Sequence, residues 1–287
     1  MKDLAILRER KTLANGKDMP AMQLGLYTMT RPEVARIVPL ALQKGYRGFD
    51  SAQMYDNEGV AGRAIIKFLS SPKNTAELTR EDIFYTTKLT ENSENYHQVR
   101  DSISRSLARC NLGYIDLVLL HSPYGGKKAR LVSWRAVEDA ILAGQVRMGG
   151  VSNFGAHHIE ELMASNPRVK PVVNQIEVHP FNTQAHIRQV SLKYELKVQA
   201  YASMVRGMRM RHPKIVELAN KNHCTPAQLL LKWGVAQDMI VLPKTIHPER
   251  LEENADISGV HISDLDMDEL NALDEMLVTD WDPTTCD

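Results

Sequence analysis

From residue 22 onward, short apolar runs alternate with longer segments in which apolar residues recur every three or four positions. These are the signatures of a strand buried on both faces and of a helix with one face against a core. MQLGL, the segment Arg47–Ala52, IFYTTKL, IDLVLLHSP, RMGGVSNF, PVVNQIEVHP, KVQAYASM and IVLPKT read as strands. The intervening helices are RPEVARIVPLALQKG, a segment beginning near Asn57 and running through GVAGRAIIKFLSS, YHQVRDSISRSLARCNLG, ARLVSWRAVEDAILAGQ, HHIEELMAS, QAHIRQVSLKYE, TPAQLLLKWGVAQ and PERLEENADI. Punctuation agrees with the periods: Pro32 falls in a first turn, Thr225 and Pro226 take the cap and first helical positions, and Gly144 follows a helix end.

Eight strand–helix pairs of similar length predict an α/β chain of the (β/α)8 TIM-barrel class, because short crossovers keep successive strands adjacent and right-handed. KTLANGKDMP adds an N-terminal β-hairpin turning at Asn15-Gly16, read as a lid on the bottom of the barrel. HPKIVELANKNH and SDLDMDELNALDEM add two extra helices, the second opened by Ser263 and Asp266 at capping-box spacing. No Gly-, Ser- or Pro-rich stretch divides the chain, so residues 1–287 are expected to form a single domain.

Composition narrows the partners. With 35 basic and 35 acidic residues the formal charge is zero, which leaves no field to recruit nucleic acid or an anionic membrane. Cys110, Cys224 and Cys286 are widely spaced and odd in number, the usage of a reducing compartment. No apolar stretch reaches signal or membrane-spanning length, so a cytoplasmic protein without a membrane partner is expected. His157-His158 is adjacent on a helix, where neighbours do not share a face, and HExxH is absent; no metal site is expected.

The candidate chemistry lies at strand ends. Asp50 and Tyr55 sit where the second strand leaves for its helix, Lys88 ends the third and His121 the fourth, all at the rim where barrels carry their sites. A tyrosine, with an unperturbed pKa of about 10, is a useful acid when a nearby cation eases proton release. Lys88, held by Asp50, is the expected cation. A lysine in an otherwise apolar strand needs such a partner.

At this point the motifs FDSAQMYDNE, TTKL, DLVLLHSP, GVSNF, NQIEVHP and LPKTIHPERLEEN, in this order, resemble the aldo-keto reductase family over nearly the whole chain. The resemblance implies a catalytic tetrad of Asp50, Tyr55, Lys88 and His121, with Tyr55 protonating a carbonyl oxygen while NADPH delivers hydride and becomes NADP+. It also implies that Ser152, Asn153 and Gln175 hold the nicotinamide carboxamide and that Tyr201 stacks on the ring. Lys244, Thr245 and Arg250 match positions around the adenosine 2′-phosphate, and Glu253 and Asn254 match those near adenine. The expected partner is a small-molecule carbonyl substrate, and the expected state a monomer.

Three positions depart from the family pattern or vary within it, and these are the expected substrate-binding residues. Tyr27 and Ser122 stand where tryptophan is common. The tail LVTDWDPTTCD is of the short type, and its Trp281 is read either over the pocket mouth or as an anchor on the outer surface. AYASMVRG lacks the common Ser-Pro-Leu after the stacking tyrosine, which loosens the expected pyrophosphate clasp. Glu177 and His179 are read as structural. Two rivals remain: a non-catalytic nucleotide-binding barrel with a regulatory or partner-binding role, and a barrel lyase or isomerase in which Lys88 forms a Schiff base.

Overall fold

The computed structural model describes residues 4–287; the first three residues of the expected 1–287 domain lie outside the described residues. Strands β1 (Arg10–Thr12) and β2 (Asp18–Pro20) pair antiparallel, Arg10 opposite Pro20 and Thr12 opposite Asp18. Their turn is longer than the two-residue one expected from Asn15-Gly16. The Leu13 amide donates to the Lys17 carbonyl at 2.8 Å, the Asn15 side chain accepts from the Lys17 amide at 3.1 Å, and only Gly16 of the dipeptide takes a left-handed φ, +75°. Leu13 and Met19 pack with Phe84, Leu117, Leu119, Met148, Val173 and Ile240, so the hairpin plugs the lower lumen.

The barrel follows as β3 (Leu24–Gly25), β4 (Gly48–Asp50), β5 (Phe84–Leu89), β6 (Ile115–Leu120), β7 (Val146–Ser152), β8 (Val173–Glu177), β9 (Lys197–Tyr201) and β10 (Ile240–Val241). Each is parallel to the next, in chain order. A parallel bridge between Met22 and Val241, with the Gln23 amide donating to the Val241 carbonyl at 3.1 Å, joins the last strand to the first and closes the sheet. Side chains alternate across each strand. Phe84, Thr86 and Lys88 therefore share a face of β5, and the lumen grades from apolar residues at the hairpin to charged ones at the opposite rim.

Helices α1 (Arg31–Lys44), α2 (Glu58–Leu69), α3 (Tyr96–Cys110), α4 (Gly126–Leu142), α5 (Ala156–Ala164), α6 (Ala185–Lys193), α7 (Pro213–Lys221), α8 (Pro226–Ala236), α9 (Pro248–Ala255) and α10 (Asp264–Asn271) surround the sheet. Thr30 and Glu33 cap α1 reciprocally and Gly45 ends it at φ +106°; Thr225 and Gln228 cap α8 in the same way. The extra helices are α7 and α10. Ser263 accepts from the Asp266 amide at 3.2 Å, but the Asp266 carboxylate turns to Lys221 (2.6 Å) and Asn222 (3.1 Å), so the expected capping box is only half formed. No helix among the described residues is long and apolar enough to cross a membrane.

Packing of α2 fixes the loop that carries Tyr55. Asn57 caps the loop from inside, its amide donating to the Leu26 carbonyl at 3.0 Å and its side-chain oxygen accepting from Ser51 at 2.7 Å. Buried Glu58 accepts from Thr87 at 2.6 Å and from Arg109 at 2.9 Å. Helix α2 approaches α3 closely at Gly62, where a Cβ would stand 1.8 Å from the Cys110 carbonyl oxygen. Gly62→Ala should therefore cost about 1–3 kcal/mol of stability through overpacking. Urea unfolding with an unchanged midpoint would contradict that packing.

Candidate active site

Lys88 is fully buried at the end of β5, yet its ammonium finds three oxygens. It pairs with Asp50 Oδ1, and donates to the Ser51 carbonyl at 3.0 Å and to the Tyr55 hydroxyl oxygen at 3.1 Å. An ammonium has donors only, so the phenol accepts in that bond and keeps its own hydrogen for another partner. Gln175 donates to Asp50 Oδ2 at 2.8 Å and to Gln199 at 2.8 Å, so the carboxylate is held from both sides. Gln199 carried no sequence signal beyond an amide in a buried strand.

His121 stands edge-on to Tyr55, ring centroids 5.8 Å apart. Its buried Nδ1 has no hydrogen-bond partner, and burial together with the Lys88 charge pushes its pKa down to about 3, so the imidazole is neutral at physiological pH. Burial pulls the Lys88 ammonium below its usual value, while Asp50 pulls it back up. The expectation that Lys88 brings the Tyr55 phenol down is not met: burial, and then the Asp50 carboxylate, hold it well above its ordinary value. The phenolate is disfavoured first by burial and second by the Asp50 charge, so Tyr55 is a fully protonated donor.

A cleft of about 1000 Å³ opens above these groups and runs toward α9. Asp50, Tyr55, His121, Ser152, Asn153, Gln175 and Tyr201 line one end, and Lys244, Thr245, Arg250, Glu253 and Asn254 the other. Within the first end the amides are already linked. Ser152 donates to the Gln175 carbonyl (2.9 Å), Asn153 donates to the His121 carbonyl (2.9 Å) and accepts from the Tyr201 hydroxyl (2.7 Å). Asn153 adopts a left-handed φ of +59°, a conformation asparagine tolerates better than most residues. At the far end Thr245 accepts from the His247 amide (3.0 Å) at the start of α9. Lys244 and Arg250 are exposed there, with no carboxylate partner among the described residues.

The C-terminal tail crosses the mouth. Trp281 stands edge-on to His121 at 6.2 Å and tilts against Tyr124 at 5.7 Å, which decides between its two sequence readings in favour of the mouth. Tyr27 lines the cleft, its ring 5.0 Å from that of Tyr55. Ser122 does not reach it: the residue is buried and its carbonyl accepts from Asn92 at 2.8 Å. Glu177 bonds His179 (2.9 Å) and accepts from the Thr279 amide (2.9 Å), so the pair anchors the tail. His157 and His158 both turn an Nε2 to the Cys286 carbonyl, at 3.0 and 2.8 Å, and their ring centroids lie 3.7 Å apart at a tilt of 41°; adjacency in the first turn of α5 did not separate them as expected. Sequence reasoning also missed Arg206, Met54 and Asp280 on the cleft wall, since nothing in their local patterns distinguishes a pocket residue from an exposed one.

A profile of the Aldo/keto reductase family matches residues 21–275. An uncharacterised oxidoreductase of Schizosaccharomyces pombe is 42% identical over 271 residues, covering 94% of this chain and 96% of that protein. The glyoxal reductase of Bacillus subtilis is 33% identical over 270 residues, covering 94% of each. Among solved structures, an aldo-keto reductase from a deep-sea metagenome library superimposes with a TM-score of 0.89 at 30% identity, covering 96% of this chain and 99% of that one.

The His121 shift has a consequence for stability. Below pH about 6.5 an unfolded chain takes a proton on this imidazole that the folded chain refuses until about pH 3. The contribution is thus complete above the unfolded value and is lost as pH falls through that window. His121→Gln should remove it, flattening the fall in unfolding free energy between pH 6 and 4 by about 1.4 kcal/mol per pH unit. Identical slopes for the two proteins in urea titrations would show that the ring is not held neutral.

Proposed function

The chain belongs to the aldo/keto reductase family, and from that premise we propose that it reduces an aldehyde or ketone to the alcohol with NADPH, Tyr55 supplying the proton. The observation that carries this reading is the 3.1 Å bond from the Lys88 ammonium to the Tyr55 hydroxyl oxygen at the floor of the cleft. It leaves the phenol proton free for a carbonyl oxygen. As that proton departs, negative charge grows on an atom already bonded to a cation, so the transition state gains more than the ground state.

Asp50 keeps the lysine in place and opposes its loss of charge, and Gln175 keeps Asp50 in place. His121, neutral, orients the carbonyl oxygen beside Tyr55 without competing as an acid. Trp281 and Tyr27 close the sides of the substrate mouth and limit water there.

The cleft suits a phosphorylated dinucleotide. Two cations without a carboxylate partner among the described residues, beside a helix start, match a dianionic phosphate, the guanidinium binding it in bidentate fashion and Lys244 as a point charge, with the Thr245 hydroxyl adjacent. Glu253 and Asn254 supply polar contacts for adenine. At the other end Gln175 Oε1 is an acceptor open to a carboxamide and Tyr201 offers an aromatic face, while Asn153 is less available than expected, its oxygen accepting from the Tyr201 hydroxyl and its NH2 donating to the His121 carbonyl. When bound, NADPH supplies the hydride. On the family resemblance the protein acts as a single-domain, cytoplasmic monomer. Small dicarbonyls, after the Bacillus subtilis relative, belong beside aromatic and aliphatic aldehydes in the first assays.

The intact set of four groups favours catalysis over a purely nucleotide-binding role. Tyr55→Phe should lower kcat by about a thousandfold with NADPH affinity retained in a fluorescence titration. Near-normal turnover would remove Tyr55 from the chemistry. Arg250→Ala should weaken NADPH binding about tenfold or more while leaving NADH binding unchanged. Equal losses for both cofactors would place the phosphate elsewhere.

A further inference from the structure

Between the tail and the loop after β9 lies an ion pair that the proposed reaction does not use. Arg206 Nη2 donates to Asp280 Oδ2 at 2.7 Å, and Arg206 Nε donates to the Thr279 hydroxyl at 3.1 Å. The Tyr27 hydroxyl donates to the same Asp280 oxygen at 3.1 Å, and the guanidinium stands 5.2 Å from the centroid of the Tyr27 ring. Since that ring is 5.0 Å from Tyr55, the pair sits one aromatic ring away from the proton donor, on the wall of the cleft. Its side chains are only about a third exposed, 32% and 36%, so their charges are screened less than those of a surface pair.

The loop that presents Arg206 is unusual. Ala202, Val205 and Arg206 all take left-handed φ values, +50°, +51° and +48°. A β-branched valine and two other non-glycine residues are held there against their preference. The far side of this loop is held by the contacts of Arg206 with Thr279 and Asp280 and, three residues on, by Arg209 with Glu275 at 2.7 Å. Glu177 is buried and bonded to His179 and the Thr279 amide, and Arg206 Nη1 has no hydrogen-bond partner among the described residues.

We propose that Arg206 and Asp280 set the charge selectivity of the substrate mouth, keeping it neutral so that uncharged carbonyl compounds are preferred and anionic ones are turned away by Asp280. The assignment rests on the reductase reading above. With Asp280 neutralised, Arg206 faces the mouth as an unspent cation whose forked donors fit a carboxylate. With Arg206 neutralised, Asp280 is left unbalanced and repels anions further. The two variants thus move selectivity in opposite directions, whereas a merely structural clasp would make both lose activity toward every substrate alike.

The test uses the full chain with NADPH and three aldehydes sharing one ring: para-formylbenzoate, its methyl ester and para-trimethylammoniobenzaldehyde. The readout is the ratio of kcat/KM for each charged compound to that for the ester, so a general loss of activity cancels. Asp280→Asn should raise the anionic ratio about tenfold, and Arg206→Met should lower it and raise the cationic ratio, by an amount of similar order for one charge at this range. Salt near 1 M should compress the differences. If Asp280→Asn fails to fold, the same salt dependence in the wild-type protein and the Arg206→Met ratios decide the matter. Ratios that stay within twofold in both variants, or that shift the same way, overturn the proposal. Absence of ester reduction by the wild-type protein would instead overturn the reductase reading.

Discussion

An ammonium with no exposure to solvent is among the most expensive groups a fold can bury, and Lys88 is tolerated only because Asp50 meets it in the same interior. The pair comes from neighbouring strands, β4 and β5, whose register sets Asp50 beside Thr86, two residues before the lysine on the same face. Gln175, from across the lumen, takes the other carboxylate oxygen, and Tyr55 takes the remaining ammonium proton. Removing any one of these partners leaves a buried charge or donor unmatched. His121 is kept neutral first by its burial and then by the same arrangement, since a second cation beside Lys88 is disfavoured.

Around that centre the chain divides its labour by height in the barrel. The hairpin residues Leu13 and Met19 and the lower lumen are apolar and supply stability. The rim carries the titratable groups, and the longer connections and the tail build the cleft walls. Trp281, Asp280 and Thr279 reach their positions through Glu177, Arg206 and Tyr27, so tail and barrel meet mainly through polar contacts directed at a few side chains. Such an edge is more easily rearranged than the packed core beneath it.

Much of this was legible in the sequence because it depends on period. Short apolar runs marked the strands, three-to-four spacing marked the helices, and strand ends put Asp50, Lys88 and His121 on one rim although His121 lies 71 positions after Asp50. The cap at Thr225 and the helix end at Gly144 follow from local chemistry. What period does not encode is direction in three dimensions. The amides of Asn153 and Gln175 spend their donors on His121, Asp50 and Gln199, a pattern set by which strands face each other. Ser122 follows a rim residue in sequence but lies in the loop just past the end of β6, buried away from the cleft with its carbonyl tied to Asn92. The direction of the Tyr55 shift was misjudged for a related reason: the depth at which the fold buries the phenol, the largest influence on it, is not written in the local pattern.

The account turns on a protonated phenol, bonded to a buried ammonium, standing beside a reduced nicotinamide. A crystal structure of the protein with NADP+ tests this most directly. It should show the phosphate between Lys244 and Arg250, the nicotinamide ring against Tyr201, and the Tyr55 oxygen still within hydrogen-bonding reach of Lys88. A nicotinamide lying away from Tyr55, or a phenol swung off the lysine once the cleft is filled, would contradict it.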